Sequence, residues 1–261
     1  MKIPIYQVDA FTDKLFGGNP AAVCLLEDWL PDDLMQSIAL ENNLSETAFI
    51  VDSDNKYSIR WFTPQAEVDL CGHATLASAR VLFDEFSSDG DNVITFHSKS
   101  GELKARREKQ IIYLDFPTDN PKPIDNIDLV SMILGKEPIE YFMGRDDYLA
   151  IFNVEEDIQA MNPNFEMLKN LDSRGLIISA PGREVDFVSR CFFPEIGLNE
   201  DPVTGSAHTL MIPYWAKKMK KNRLKAHQIS IRGGFLDCEL KGDRVMIGGF
   251  TTRYLKGIIS V

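Results

Sequence analysis

Along the first half of the chain, apolar and polar positions alternate in the period-two manner of a half-buried strand at Tyr57–Phe62, and Ile3–Asp9 and the apolar Ala48–Val51 also read as strands. A longer apolar-rich stretch, Ala74–Phe86, follows Gly72 and predicts a helix with little polar surface, since Leu76, Ala77, Val81, Leu82 and Phe83 cover most of it. Asn92–His97, Leu103–Glu108 and Ile111–Phe116 then read as a strand meander. The second half predicts strands at Gly175–Ser179 and Asp186–Phe193, a second buried helix at Ala207–Lys217, and a meander over Gln228–Ile231, Phe235–Leu240 and Arg244–Gly248. Pro213 should kink or shorten that second helix. Asp32–Asn42 and Asp125–Gly135 predict amphipathic surface helices, the first with Asp32 or Asp33 near its N-terminus.

These two series repeat. Arg60-Trp61-Phe62-Thr63-Pro64 corresponds to Arg190-Cys191-Phe192-Phe193-Pro194 at an offset of 130. Cys71-Gly72-His73-Ala74 corresponds to Thr204-Gly205-Ser206-Ala207, and Ser100-Gly101-Glu102-Leu103 to Gly233-Gly234-Phe235-Leu236, both at 133. Three matches in one order, spaced by about half the chain, predict an internal duplication. The implied class is α+β: two pseudosymmetric domains, each a curled, mostly antiparallel sheet around a central helix. Pro117, Pro121 and Pro123 mark the linker, so the halves are expected at 1–117 and 118–250, with a C-terminal strand over 251–261 completing the first.

Composition narrows the function. The 261 residues carry 28 Lys+Arg against 39 Asp+Glu, a net charge of −11. This argues against nucleic-acid and anionic-membrane binding, which need a basic face. Lys217, Lys218, Lys220 and Lys221 close the second central helix, where cations complement its dipole. There is no basic start with a long apolar core and no apolar run of membrane-spanning length, so a cytoplasmic protein is expected. The four cysteines are scattered without a C-x-x-C, which reads as reduced thiols. The four histidines lack ligand spacing, and no glycine run follows a dinucleotide-binding pattern, so neither a metal nor a cofactor is expected.

The chemistry gathers at the two glycine-led helix heads. A small-residue turn into a helix leaves free N–H groups at the positive end of the dipole, suited to a carboxylate or an enolate-like oxygen. Both heads, Gly72-His73 and Gly205-Ser206, are expected to face one cleft. His73, Asp201, Thr204, Ser206 and Glu46 supply groups for proton transfer. Taken singly, Asp201 and Ser206 read as helix-capping residues, His73 as an interfacial histidine and Glu46 as a loop carboxylate.

Asp9-Ala10-Phe11-Thr12, Gly18-Asn19-Pro20-Ala21-Ala22-Val23, Leu44-Ser45-Glu46-Thr47-Ala48-Phe49, Phe62-Thr63-Pro64, Gly72-His73-Ala74-Thr75 and Asp201-Pro202-Val203-Thr204-Gly205-Ser206-Ala207-His208 together resemble the PhzF family of phenazine-biosynthesis-like isomerases. The resemblance runs over essentially the whole chain and implies the fold of diaminopimelate epimerase. It implies that Glu46 is the catalytic acid/base moving a proton between carbons of a small, possibly cyclic carboxylic acid without a cofactor, and that His73 and Asp201 assist or orient the transfer. Asn19, Gly72, Thr204, Gly205 and Ser206 are implied to hold the substrate, and a homodimer is implied as the assembly. Such a base works best in a water-poor site, and Glu46 leads into the apolar run Ala48–Val51. Two alternatives stand: a small-acid binding protein without turnover, and an amino-acid epimerase or racemase. The second needs two thiols at the helix heads; Cys71 fills one position, but Thr204 fills the other. Cys71 then reads as a packed residue.

Overall fold

A computed structural model describes residues 1–53, 56–86, 92–125 and 127–261. The chain divides into two compact units, 1–115 together with 248–261, and 116–247. The first unit opens with β1 (Lys2–Ala10), β2 (Asn19–Leu26), α1 (Asp32–Asn42), β3 (Glu46–Ser53), β4 (Lys56–Phe62), β5 (Glu67–Val68), α2 (Gly72–Glu85), β6 (Val93–Ser98), β7 (Gly101–Glu108) and β8 (Ile111–Pro117). The chain continues as β9 (Lys122–Pro123), α3 (Asp128–Leu134), β10 (Glu140–Met143), β11 (Asp147–Ile151), α4 (Glu155–Ala160), α5 (Phe165–Leu168), β12 (Gly175–Pro181), β13 (Phe187–Phe193), β14 (Leu198–Asp201), α6 (Gly205–Met219), β15 (Arg223–Gln228), β16 (Gly234–Lys241) and β17 (Arg244–Gly249). The last strand, β18 (Thr251–Ser260), lies along β1 in the first unit.

The duplication is visible in the pairing. In the first unit β1–β2 is antiparallel, β2–β3 parallel, β3–β4 antiparallel and β4–β6 parallel. The second unit repeats this with β10–β11, β11–β12, β12–β13 and β13–β15. Each sheet packs one face on its own central helix: α2 lies against β1, β2, β3, β7 and β18, and α6 against β11, β15 and β16. The other face is covered by α1 in one unit, through Met35 and Ile38 against Phe49 and Phe62, and in the other by a cluster of Val130, Ile158 and Leu168 on Phe152, Ile178 and Phe192. Both central helices are apolar nearly all round, as a helix enclosed by a sheet must be.

Several local expectations change. Pro213 does not shorten α6, which runs unbroken from Gly205 to Met219. Proline offers no N–H to the carbonyl four residues back, and that carbonyl, on Thr209, instead accepts the Asp119 N–H at 3.0 Å. The expected strand over Gln228–Ile231 is displaced: β15 ends at Gln228, and its inward set is Leu224, Ala226 and Gln228. Ile231, which suggested the strand, is fully exposed. The first helix is led by Pro31 rather than by a side-chain cap; the Asp33 carboxylate accepts the N–H of Leu34, its immediate neighbour. The expected helix over 125–135 is confined to Asp128–Leu134, and Asn126 within that range lies outside the described residues. Strand β2 is buried along almost its whole length, so it lacks the alternation that reveals half-exposed strands.

All four cysteines are free and buried. Among the described residues, no helix is long and apolar enough to cross a membrane.

Candidate functional site

Glu46 is the first residue of β3, paired beside Ala21 of β2, and not a loop residue. His73 is the second residue of α2. Its Nε2 lies 3.0 Å from Glu46 Oε2, with side-chain exposures of 7% and 18%. The two atoms are not aligned as hydrogen-bond donor and acceptor; each is buried and lacks a hydrogen-bond partner. The Nδ1 edge of the ring is held by two groups, the Asn19 side-chain nitrogen at 3.3 Å and Cys71 Sγ at 3.5 Å. Asn19 is itself fixed by Ser45, whose hydroxyl donates to Oδ1 at 3.2 Å. Gly18 makes this placement possible: its φ is +62°, and a Cβ there would sit 2.1 Å from the Ala10 carbonyl oxygen.

Burial alone would push the His73 imidazole down, but Cys71 and Glu46 beside it outweigh that and hold it well above its ordinary value. The Cys71 thiol is pushed up, first by burial and then by the Glu46 carboxylate. The ring is thus drawn toward its protonated form beside the Glu46 side chain. Glu46, Cys71 and His73 also place one donor atom each within 4.8 Å of one another, a set able to hold a metal ion. Sequence spacing could not show this, because Glu46 arrives from a different element.

In the second unit Asp201 ends β14 opposite Cys191 of β13. It is not the cap of α6: its carboxylate accepts the Thr204 hydroxyl, and Thr204 leads the helix. Gln228 clasps this turn, accepting the Thr204 N–H at 2.9 Å and donating to the Asp201 carbonyl at 2.8 Å. His208 Nδ1 lies 2.8 Å from the Thr204 carbonyl, as the Thr75 hydroxyl donates to that of Cys71 in the first unit. Neither Cys71 nor Thr204 makes a side-chain cap bond, so the two helix heads carry no side-chain cap.

Sequence reasoning missed Ser45, Gln228, Asp147 and Arg174. Arg174 pairs with Asp147 through two nitrogens and donates to the Ser206 hydroxyl at 3.2 Å. The signal existed in the repeat. Ala48 faces Trp61 and Ile177 faces Cys191, so Ser45-Glu46 corresponds to Arg174-Gly175. Where the first unit has its carboxylate, the second has a glycine whose added Cβ would lie 2.2 Å from the Phe193 ring.

The family model for phenazine biosynthesis-like proteins (PhzC-PhzF) matches residues 8–254. The chain belongs to this family. It is 49% identical, over 99% of both chains, to a protein of Pseudomonas aeruginosa named as an uncharacterised isomerase. A PhzF-family crystal structure from Enterococcus faecalis matches over 100% of both chains with 48% identity and a TM-score of 0.97. A hydroxyproline epimerase from Agrobacterium vitis, at 10% identity, covers 99% of this chain and 92% of its own with a TM-score of 0.65, a likeness of fold alone. The fold is thus the α+β, epimerase-like one that the sequence implied.

Proposed function

We propose that this protein is an isomerase that moves a proton within a small carboxylated, possibly cyclic substrate, with Glu46 as the acid/base. The observation that carries the reading is the Glu46–His73 contact: a buried carboxylate oxygen, 3.0 Å from an imidazole nitrogen and without a hydrogen-bond partner. As carboxylate, Glu46 removes a proton from a carbon acidified by the neighbouring unsaturated acid. The electron pair moves into the conjugated system. The resulting carboxylic acid returns the proton at a second carbon and regenerates the carboxylate, so no cofactor is needed. His73 supplies positive charge while negative charge spreads over the substrate. Asn19 orients His73. Gly72, at the head of α2, is assigned the holding of the substrate.

The repeat favours this over epimerisation. Inversion by proton exchange on opposite faces needs two bases, but the counterpart of Glu46 is Gly175 and that of Cys71 is Thr204. A carboxylate that collects and returns the proton itself suits an isomerisation.

The test is conversion of a panel of small unsaturated cyclic and acyclic acids, followed by NMR and mass spectrometry. A product of unchanged mass with a relocated double bond supports the reading. Saturable binding with no change in any acid, at any enzyme concentration, would leave the non-catalytic binding protein as the correct description.

A further inference from the structure

We propose that Cys71, His73 and Glu46 form a reversible binding site for a borderline-soft divalent cation, zinc being the type, which switches off proton transfer when bound. Thiolate, imidazole and carboxylate together select zinc or cobalt over magnesium and calcium, which prefer oxygen donors alone. The three donors already lie within 4.8 Å of one another. With zinc–sulfur at about 2.3 Å and zinc–nitrogen at about 2.0–2.1 Å, a tetrahedral site has a sulfur–nitrogen edge of about 3.5 Å. The Cys71 Sγ–His73 Nδ1 separation is 3.5 Å.

A second feature concerns the far edge of the ring: Glu46 Oε2 and His73 Nε2 lie 3.0 Å apart and buried, without the alignment of a hydrogen bond. One ring nitrogen, the sulfur and a carboxylate oxygen leave the fourth position of a tetrahedral ion open to water, the pattern of exchangeable rather than structural zinc. Coordination releases the thiol proton and the imidazolium proton to solvent, with no change of oxidation state. The positive end of α2 opposes a cation but favours the thiolate that binds it, and the two charged ligands, thiolate and carboxylate, together outweigh that half-charge.

The binding claim stands on geometry; the inhibitory consequence rests on the acid/base reading of Glu46 and His73. The experiment separates them. Cobalt(II) is titrated into the full metal-free chain while the thiolate-to-cobalt charge-transfer band and the visible bands of a tetrahedral ion are followed. One equivalent is expected to bind, with at least a tenfold loss of affinity and disappearance of the charge-transfer band in Cys71→Ser. His73→Asn should weaken binding likewise, whereas Cys238→Ser, on β16, should not. On the unaltered protein, zinc should protect Cys71 from alkylation, mapped by mass spectrometry, and magnesium should not. A missing charge-transfer band, a band that persists in Cys71→Ser, or unchanged alkylation under zinc overturns the site. If the spectra hold and isomerisation is unaffected by saturating zinc, the site stands and the catalytic reading falls.

Discussion

His208 shows how much a single enclosed side chain can decide. Its Nδ1–H donates to the Thr204 carbonyl, and its Nε2 is buried without a partner, so only the neutral ring fits. Burial accordingly pushes it down to about 4 from the ordinary 6.5. The folded form therefore resists protonation that the unfolded chain accepts. Stability from this residue is complete above pH 6.5 and is lost as pH falls toward 4, by about 3 kcal/mol in all. Urea unfolding between pH 7 and pH 4 should show this loss, and His208→Asn should flatten it; an unchanged slope in the variant would contradict the assignment. His73 is the opposite case, a ring held charged by its neighbours. The residue types of both sites were legible in the sequence, since His73, Glu46 and Asp201 stand in recurring motifs. Their partners were not, because Asn19 meets His73 only when β2 lies beside α2, and a buried glutamine such as Gln228 leaves no sequence trace of what it clasps.

At the scale of elements, the two halves share a frame but not its chemistry. The salt-bridged arginine of the central strand is repeated: Arg60 grips Glu67 and Arg190 grips Glu200, each through two nitrogens. The start of the neighbouring strand is not repeated, being Glu46 in one half and Gly175 in the other. Gly175 is closed to side chains by Phe193 and by the Phe192 carbonyl oxygen at 2.4 Å from an added Cβ. Gly175→Ala should cost about 1–3 kcal/mol by overpacking, read as a lower midpoint in urea; wild-type stability would show the packing to be softer than described. Gln228→Leu should cost a similar amount, because it leaves the Thr204 N–H buried without its acceptor. Elements with one wet face, such as β4 and β7, were readable from alternation. Strand β2 was hidden by two-sided burial, and β15 by a polar residue at its last inward position.

For the whole molecule, the chain passes from one unit to the other and returns. Strand β18 pairs with β1 along nearly its full length, from Lys2 opposite Ser260 to Ala10 opposite Thr251. The first unit is thus completed only when the last residues of the chain are in place. Ending the chain at Phe250 should strip β1 of a neighbour and expose an unpaired edge. The expected result is aggregation, or loss of the unfolding transition belonging to the first unit, by calorimetry; a truncated protein with wild-type unfolding would refute the dependence. The internal repeat and the family motifs made the doubled architecture legible at this scale, whereas the asymmetry of its chemistry emerged only once strand registers aligned Glu46 with Gly175.

The central claim, that one carboxylate carries the proton, is most directly tested by solvent deuterium incorporation. A substrate found to turn over is incubated in heavy water with wild type and with Glu46→Gln, which keeps the shape of the side chain and removes its basicity. Wild type should exchange at the reacting carbons, and the variant, folded as judged by its unfolding midpoint, should be slower by about 10²–10⁴-fold. Exchange in Glu46→Gln within a factor of a few of wild type would contradict the account.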